Sequence, residues 1–280
     1  MRIIETQKIS EIVSRLCIEA NCRLPKDVKT CIEQSRSSEK WPIACDTLDK
    51  IIENYKLADS DNMPICQDTG VACVFLEIGE DLHVKGNIAA AVDEGVRMGY
   101  QEAFLRKSVV KDPLFDRKNT RDNTPAMLYT EYIPGDKIII TVAPKGFGSE
   151  NMSGIKMLRP SDGVDGVINF VLETVEAAGS NPCPPIVIGV GLGGTFDKAA
   201  LLAKKALLRP IGQAHSDARY AALEYKLLEK VNDLGIGPQG FGGLTTALSV
   251  AIEHMPTHIA GLPCAVNINC HVARHITEVI

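Results

Sequence analysis

No stretch of this sequence approaches the roughly 18 consecutive apolar residues needed to cross a bilayer. The first twenty residues carry Glu5, Lys8, Glu11, Arg15 and Glu19 among apolar neighbours, which predicts an amphipathic helix rather than a secretory leader. Positive charge is not in excess. Lys and Arg number 30 against 35 Asp and Glu, a formal net charge of -5, so the broad positive field that draws proteins to phosphate backbones or anionic lipid is missing. Neither nucleic acid nor a membrane surface is expected as a partner. No Cys-x-x-Cys pair occurs, which argues against zinc ribbons and thioredoxin-like redox sites. The nine cysteines, an odd number with no export signal, point to a reducing compartment, and the expected address is cytoplasmic. Internal repeats and low-complexity linkers are also absent.

What is present is an ordinary globular composition, 45% hydrophobic and 23% charged over 280 residues, enough chain for one large domain or two modest ones. Apolar positions recur at helical spacing through Ile9, Ile12, Val13 and Leu16, then Trp41, Ala44, Leu48, Ile51 and Ile52, predicting a helical N-terminal layer over residues 1–60. Val71 to Ile78, bracketed by Gly70 and Gly79, predicts a buried strand, and a helix follows from about Ile88 to Ala103. Met127–Ile133 and Lys137–Val142 flank Pro134-Gly135-Asp136, a turn signal that predicts a hairpin. Further on, a Gly-rich loop at Gly146–Gly148 precedes a helix near Asp165–Ala178. A strand at Pro185–Val190, helices near Asp197–Leu208 and Asp217–Asp233, and a last strand at His258–Asn267 complete the reading. Mixed helices and short strands with no marked boundary predict an α/β fold in one compact catalytic domain spanning 1–280.

Several motifs invite chemistry. Gly189, Gly191 and Gly194 fit G-x-G-x-x-G between an apparent strand and helix, which suggests a dinucleotide site and a nicotinamide-dependent oxidoreductase. Such a site also needs an acid about 20 residues on, and Arg209-Pro210-Ile211-Gly212-Gln213 stands there instead. His254 with His258 and His271 with His275 are spaced i, i+4, which on a helix would put two imidazoles on one face and suggest a non-catalytic metal-binding subunit; Pro256 interrupts the first pair. Among the cysteines, Cys17, Cys22, Cys31, Cys45, Cys73 and Cys264 lie in helical or strand-like stretches and read as small hydrophobes. Cys66, Cys183 and Cys270 lie in punctuated turns: Pro64-Ile65-Cys66-Gln67-Asp68-Thr69-Gly70, Asn181-Pro182-Cys183-Pro184-Pro185, and Asn267-Ile268-Asn269-Cys270-His271. They read either as ordinary loop thiols or as ligands of a soft metal group. Three thiolates on a cubane cluster leave one iron without a protein ligand, open to act as a Lewis acid on a hydroxyl and carboxylate.

The chain resembles the alpha subunits of two-subunit class I fumarate hydratases, in the iron–sulfur hydro-lyase family shared with tartrate dehydratase. The resemblance runs over nearly the whole chain. It rests on Pro64–Gly70, Asp112-Pro-Leu114 with Asn119-Thr120, Lys145–Asn151, Cys183-Pro-Pro185 leading into Ile188–Gly191, Leu208–Gly212, Gly235–Gly240, Pro256-Thr-His258, Asn269-Cys270 and Arg274-His275. It implies a 4Fe–4S cluster held by Cys66, Cys183 and Cys270. It further implies that Gln67 and Asp68 enter the site, that Arg106 binds a substrate carboxylate, that a backbone N–H near Gly148 holds carboxylate oxygen, and that His258 pairs with Asp68 to move a proton. The implied reaction is the reversible hydration of fumarate to malate, with L-tartrate dehydration as the alternative; Lys145–Asn151 resembles the fumarate-type pattern but has Phe147 where that pattern has glycine. The resemblance also implies a separate beta subunit that supplies further arginines, a lysine and the proton-abstracting group, in a heterotetramer. The chain alone is therefore expected to be inactive or nearly so.

Overall fold

The computed structural model describes residues 2–280. In chain order its elements are β1 (Arg2–Glu5), α1 (Thr6–Cys22), α2 (Lys26–Ser38), α3 (Pro42–Asp61), β2 (Val71–Gly79), β3 (Leu82–Lys85), α4 (Ile88–Glu102), β4 (Met127–Ile133) and β5 (Ile138–Lys145). They continue as α5 (Phe147–Glu150), β6 (Gly154–Leu158), α6 (Gly163–Ala178), β7 (Ile186–Gly194), α7 (Phe196–Ala206), α8 (Ala218–Asn232), β8 (Ala247–Thr257), β9 (Leu262–Asn269) and β10 (Ile276–Val279). This is the α/β mixture that the sequence predicts. The chain forms two compact units: Met1–Pro25, Tyr55–Gly146 and Arg274–Ile280 make the first, and Lys26–Asn54 with Phe147–Ala273 the second. The helices expected over residues 1–60 are present as α1, α2 and α3, preceded by the short strand β1, and they are divided between the two units.

In the first unit a four-stranded sheet runs β10-β5-β2-β4, and β1 pairs separately with β3. The run Val-Ala-Cys-Val-Phe-Leu-Glu-Ile of β2 is buried along almost its whole length, as befits a central strand covered on both faces. Tyr100, Val92 and Val96 of α4 and Ile9, Val13 and Leu16 of α1 form one core with Val74, Leu76, Ile140 and Val142. The expected hairpin does not form. Strand β4 pairs with β2 in parallel and β5 pairs with β2 antiparallel, so β2 lies between them. Pro134-Gly135-Asp136 still makes its turn, but the turn passes over the end of β2: Gly79, Glu80 and Asp81 donate their N–H groups to the carbonyls of Lys137, Ile133 and Gly135. A doubly apolar strand gains more from two neighbours than from one exposed edge, and this overrides the local pairing that the turn suggests.

In the second unit the sheet order is β6-β9-β7-β8, with β7 parallel to β8 and antiparallel to β9. Alternation along β7 sorts its residues between two layers. Ile186, Ile188, Val190 and Leu192 join Val171 and Val175 of α6 and Leu227 and Val231 of α8, while Gly189 and Gly191 turn toward α7. A β-carbon on Gly191 would stand 2.0 Å from the carbonyl oxygen of Ala199. Gly189 and Gly191 of the apparent dinucleotide fingerprint are therefore interior strand residues that let a helix backbone approach rather than parts of a phosphate loop, while Gly194 ends the strand at φ +64°. The strand expected at His258–Asn267 begins at Leu262, as β9, and is not the last, since β10 follows it; β8, unexpected from the sequence, carries His254. Neither histidine pair lies on a helix, so their spacing places no imidazoles on a common helical face.

Candidate active site

In the first unit, the loop Pro64–Gly70 joins α3 to β2 and is clamped by hydrogen bonds from behind. Tyr100, a fully buried residue of α4, donates its hydroxyl to the Thr69 carbonyl at 2.7 Å. Asn123 donates its amide to the Gly70 carbonyl at 3.1 Å, and Arg274 donates Nη2 to the Asp68 carbonyl at 2.6 Å. Within the loop the Asp68 N–H points at Cys66 Sγ at 3.4 Å, and Asp68 Oδ1 accepts the Gly70 N–H at 3.0 Å. Gly70 holds a left-handed φ of +71° with the Lys145 backbone against its Cα, a position that excludes any side chain. Thr69 ties the loop to the next candidate: its hydroxyl donates to the Arg106 carbonyl at 2.9 Å. The structure thus gathers Cys66, Gln67, Asp68 and Arg106 around one rigid turn, with Gln67 and Arg106 exposed and Cys66 and Asp68 half-buried.

In the second unit, β7 and β9 are antiparallel with Val187 opposite Asn269, so the loop before β7 and the loop after β9 meet at one end of the sheet. Those loops carry Cys183 and Cys270. Cys183, exposed and held at φ +55°, presents its carbonyl to the ring of His271, with Nδ1 2.9 Å away. Gln239 braces the same corner, donating both its backbone N–H and its amide to the Pro184 carbonyl at 2.8 Å. Gly148 lies in the single turn of α5, which a polar cluster fixes: Glu150 bonds Lys204 at 2.7 Å and Asn267 at 2.8 Å. His258 stands exposed just beyond β8, and its Nδ1 accepts the Ala260 N–H at 3.1 Å. That bond assigns Nδ1 as the acceptor, so in the neutral ring Nε2 carries the proton.

Of the six cysteines read as small hydrophobes four are buried, while Cys31 and Cys45, on α2 and α3, are half-buried like Cys66 and Cys270. Cys17, Cys22, Cys73 and Cys264 are buried, and burial pushes the thiols of Cys17 and Cys264 up to about 12. Cys66, Cys183 and Cys270 stand outside helices and strands with polar neighbours. Soft thiolates with a backbone N–H donated to sulfur, as at Cys66, are the donor chemistry an iron–sulfur group takes. At the Cys66 loop the residues present fit such a group. Among the described residues no three or more His, Cys, Asp or Glu side chains gather as they would around a single metal ion.

Other features lie apart from these residues. In the second unit a cleft of about 840 Å³, lined by Asp27, Cys31, Ile211, Glu224 and Leu248 among others, includes none of the candidate residues. His215, Tyr220 and His254 stack as a ring cluster, with the Tyr220 and His254 centroids 4.1 Å apart, so His254 is engaged in packing. Sequence reasoning passed over Tyr100, named His271 only in a histidine pair and a turn, and used Gln239 and Arg274 only as motif positions. Their roles come from partners 31, 88, 55 and 206 residues away, which local pattern does not encode. No described helix is long and apolar enough to cross a membrane.

Comparison with known proteins places this chain in a family. The family model described as fumarate hydratase (fumerase) matches residues 10–279. A protein of Methanocaldococcus jannaschii named "Putative L(+)-tartrate dehydratase subunit alpha" is 48% identical over 274 residues, 95% of each chain. The L(+)-tartrate dehydratase subunit alpha of Escherichia coli strain UTI89 is 33% identical over 96% of this chain and 90% of its own length; that of strain K12 is 32% identical over 98% and 91%. Matches of this length and identity make the conclusion plain: the chain belongs to the hydro-lyase family of class I fumarate hydratase and tartrate dehydratase alpha subunits.

Proposed function

We propose that this chain is the alpha subunit of a two-subunit 4Fe–4S hydro-lyase that interconverts fumarate and malate in the cytoplasm. The observation that carries the reading is the Pro64–Gly70 loop, where a loop thiol, an amide and a carboxylate stand at consecutive positions beside Arg106 on a turn clamped by Tyr100, Asn123 and Arg274. Cys66, Cys183 and Cys270 are the thiolates of the cluster. When bound, it supplies an iron without a protein ligand that acts as a Lewis acid on the substrate's hydroxyl and carboxylate. The Arg106 guanidinium forks onto the remote carboxylate, Gln67 donates its amide to substrate oxygen, and the N–H groups at the start of α5 near Gly148 form an anion nest. Asp68 and His258 move the hydroxyl proton: the Ala260 N–H on Nδ1 sets the tautomer of the imidazole, and Nε2 is the atom that exchanges the proton.

In this reading residues 1–280 act as one alpha-type catalytic domain. The names of the relatives, each a "subunit alpha", support a separate beta subunit that supplies the proton-abstracting base, in a heterotetramer. L-tartrate is the second substrate reading, favoured by those same names, while the family model's description and the Lys145–Asn151 loop favour fumarate. Steady-state rates on malate, fumarate and L-tartrate, measured with the beta subunit present, test it. A preference for fumarate and malate is expected; a large preference for L-tartrate reverses the substrate, and full turnover by the isolated chain removes the beta subunit from the proposal.

A further inference from the structure

Arg274 opens the segment that leads into β10 and belongs to the first unit. Only 4% of it is exposed. Its Nη2 donates to the backbone carbonyl of Asp68, whereas Nε and Nη1, both buried, find no acceptor among the described residues. A guanidinium does not shed its proton in a protein. A buried one therefore keeps its full charge, and that is costly unless negative charge stands close by. Here the hydrogen-bond partner is a neutral carbonyl.

The two carbonyls that follow in the same loop show what a merely structural clamp looks like. Thr69 and Gly70 are held by the hydroxyl of Tyr100 and the amide of Asn123, both neutral donors. A neutral donor would fix the Asp68 carbonyl as well, so the choice of a buried cation there asks for a second role. Tyr100 and Cys22, which lie within the field of Arg274, do not supply the balancing charge, because burial pushes the hydroxyl and the thiol up and keeps both neutral. The negative groups that remain on the loop are the Asp68 carboxylate and the Cys66 thiolate of the bound form.

We propose that Arg274 is a positioning residue for the Cys66–Gly70 loop and the fixed positive charge that balances the anionic thiolate–cluster assembly. This rests on the three-thiolate reading of the site. Arg274 acts through the Asp68 backbone and through its field, and it touches neither substrate nor cluster.

The test compares the full chain, reconstituted anaerobically with iron and sulfide, with R274M, R274K and Y100F. The readouts are iron release to a chelator, the cluster midpoint potential, and amide hydrogen exchange over residues 65–70 in the apo chain. R274M is expected to release iron about tenfold faster, the scale of a lost outer-sphere partner, and to shift the potential negative, because the electron added on reduction loses a nearby positive charge. R274K keeps the potential near that of the unaltered chain, and Y100F speeds amide exchange without moving the potential. If R274M fails to fold, R274Q, which keeps donors without the charge, takes its place. Unchanged potential and iron release in a variant that has only lost thermal stability overturn the counter-charge. Unchanged amide exchange over 65–70 overturns the positioning role. An unaltered chain that takes up no iron and sulfide overturns the counter-charge and the three-thiolate reading together, while the apo exchange still decides the positioning role.

Discussion

Gly189 lies so close to the carbonyl of Ala203 that a β-carbon built on it would stand 2.1 Å from that oxygen. The contact is between backbones, so no side-chain rotation relieves it. Strand β7 and helix α7 would have to separate, which opens the small-residue layer of Ala199, Ala203 and Ala265. Gly189→Ala is therefore expected to destabilise the chain by about 3 kcal/mol, the upper end for overpacking. Gly261→Ala, whose β-carbon meets nothing nearer than 3.9 Å, should stay within about 0.5 kcal/mol. Urea unfolding of the two variants checks the contrast, and coincident midpoints would refute the close-approach account.

Arg209 and Glu224 form a second vulnerable point in the same unit. Glu224 is 6% exposed and accepts from the Arg209 guanidinium, from the Ile252 N–H at 2.7 Å and from the His215 N–H at 3.1 Å. Arg209 also reaches Glu253 at 3.3 Å. Removing the cation leaves a buried carboxylate without its counter-charge, which typically costs about 3–5 kcal/mol. Arg209→Met should lose about that much, and Arg209→Lys should recover only part of it, since a single ammonium cannot reproduce the fork. Denaturation of the two variants reads this directly; a stable Arg209→Met protein would show that the pair is screened.

How much of this was legible in sequence depends on the range of the interaction responsible. Helices α4 and α6 and strand β2 follow from periodicity and run length, because their burial repeats every few residues. The hairpin was misread because a turn signal is local, whereas the choice of β2 as the strand between β4 and β5 depends on burial far along the chain. Strand β8 was hidden by His254 and Pro256, which break an apolar pattern at the strand's exposed end. Gly189 and Gly191 are ambiguous in principle, since close approach to a phosphate and close approach to a helix demand the same residue. At the site, Pro and Gly punctuation marks Cys66, Cys183 and Cys270 as loop thiols, and loops are where they stand. Tyr100, His271 and the clamp made by Arg274 carry no such local mark.

Glu39 gives the second unit a pH-dependent contribution. Burial pushes its carboxyl up, but N–H groups of Trp41, Leu244 and Lys40 outweigh that and hold it below its ordinary value of 4.5. A carboxyl depressed in the folded state stabilises fully above the unfolded value, and the contribution is lost as pH falls through the folded one. Glu39→Gln should therefore cost about 1–2 kcal/mol at pH 7, on the scale of hydrogen bonds to a charged group. The difference from the unaltered chain should shrink steadily below pH 4.5. Thermal unfolding at pH 7 and pH 3 measures both, and a pH-independent difference would mean that Glu39 acts through packing alone.

The nine cysteines should divide by chemistry under a single experiment. Cys17 and Cys264 are buried with thiols pushed up to about 12, so at pH 8 almost none of either is thiolate and neither is reached by solvent. In the native chain both should resist iodoacetamide, while the exposed Cys183 reacts. If Cys66, Cys183 and Cys270 are the cluster thiolates, anaerobic reconstitution should protect all three from alkylation together, and removal of iron by a chelator should expose them together. Near-equal iron and sulfide at about four each per chain should accompany the protection, with partial loss on brief exposure to air. Serine at any one of the three should abolish iron retention, because two thiolates do not hold a cubane. Cys73→Ser, inside β2, should keep its iron and cost about 1–2 kcal/mol of packing. Mass spectrometry of the alkylated peptides separates the outcomes: protection of only one or two of the three thiols would break the ligand set, and with it the assignment of the open iron.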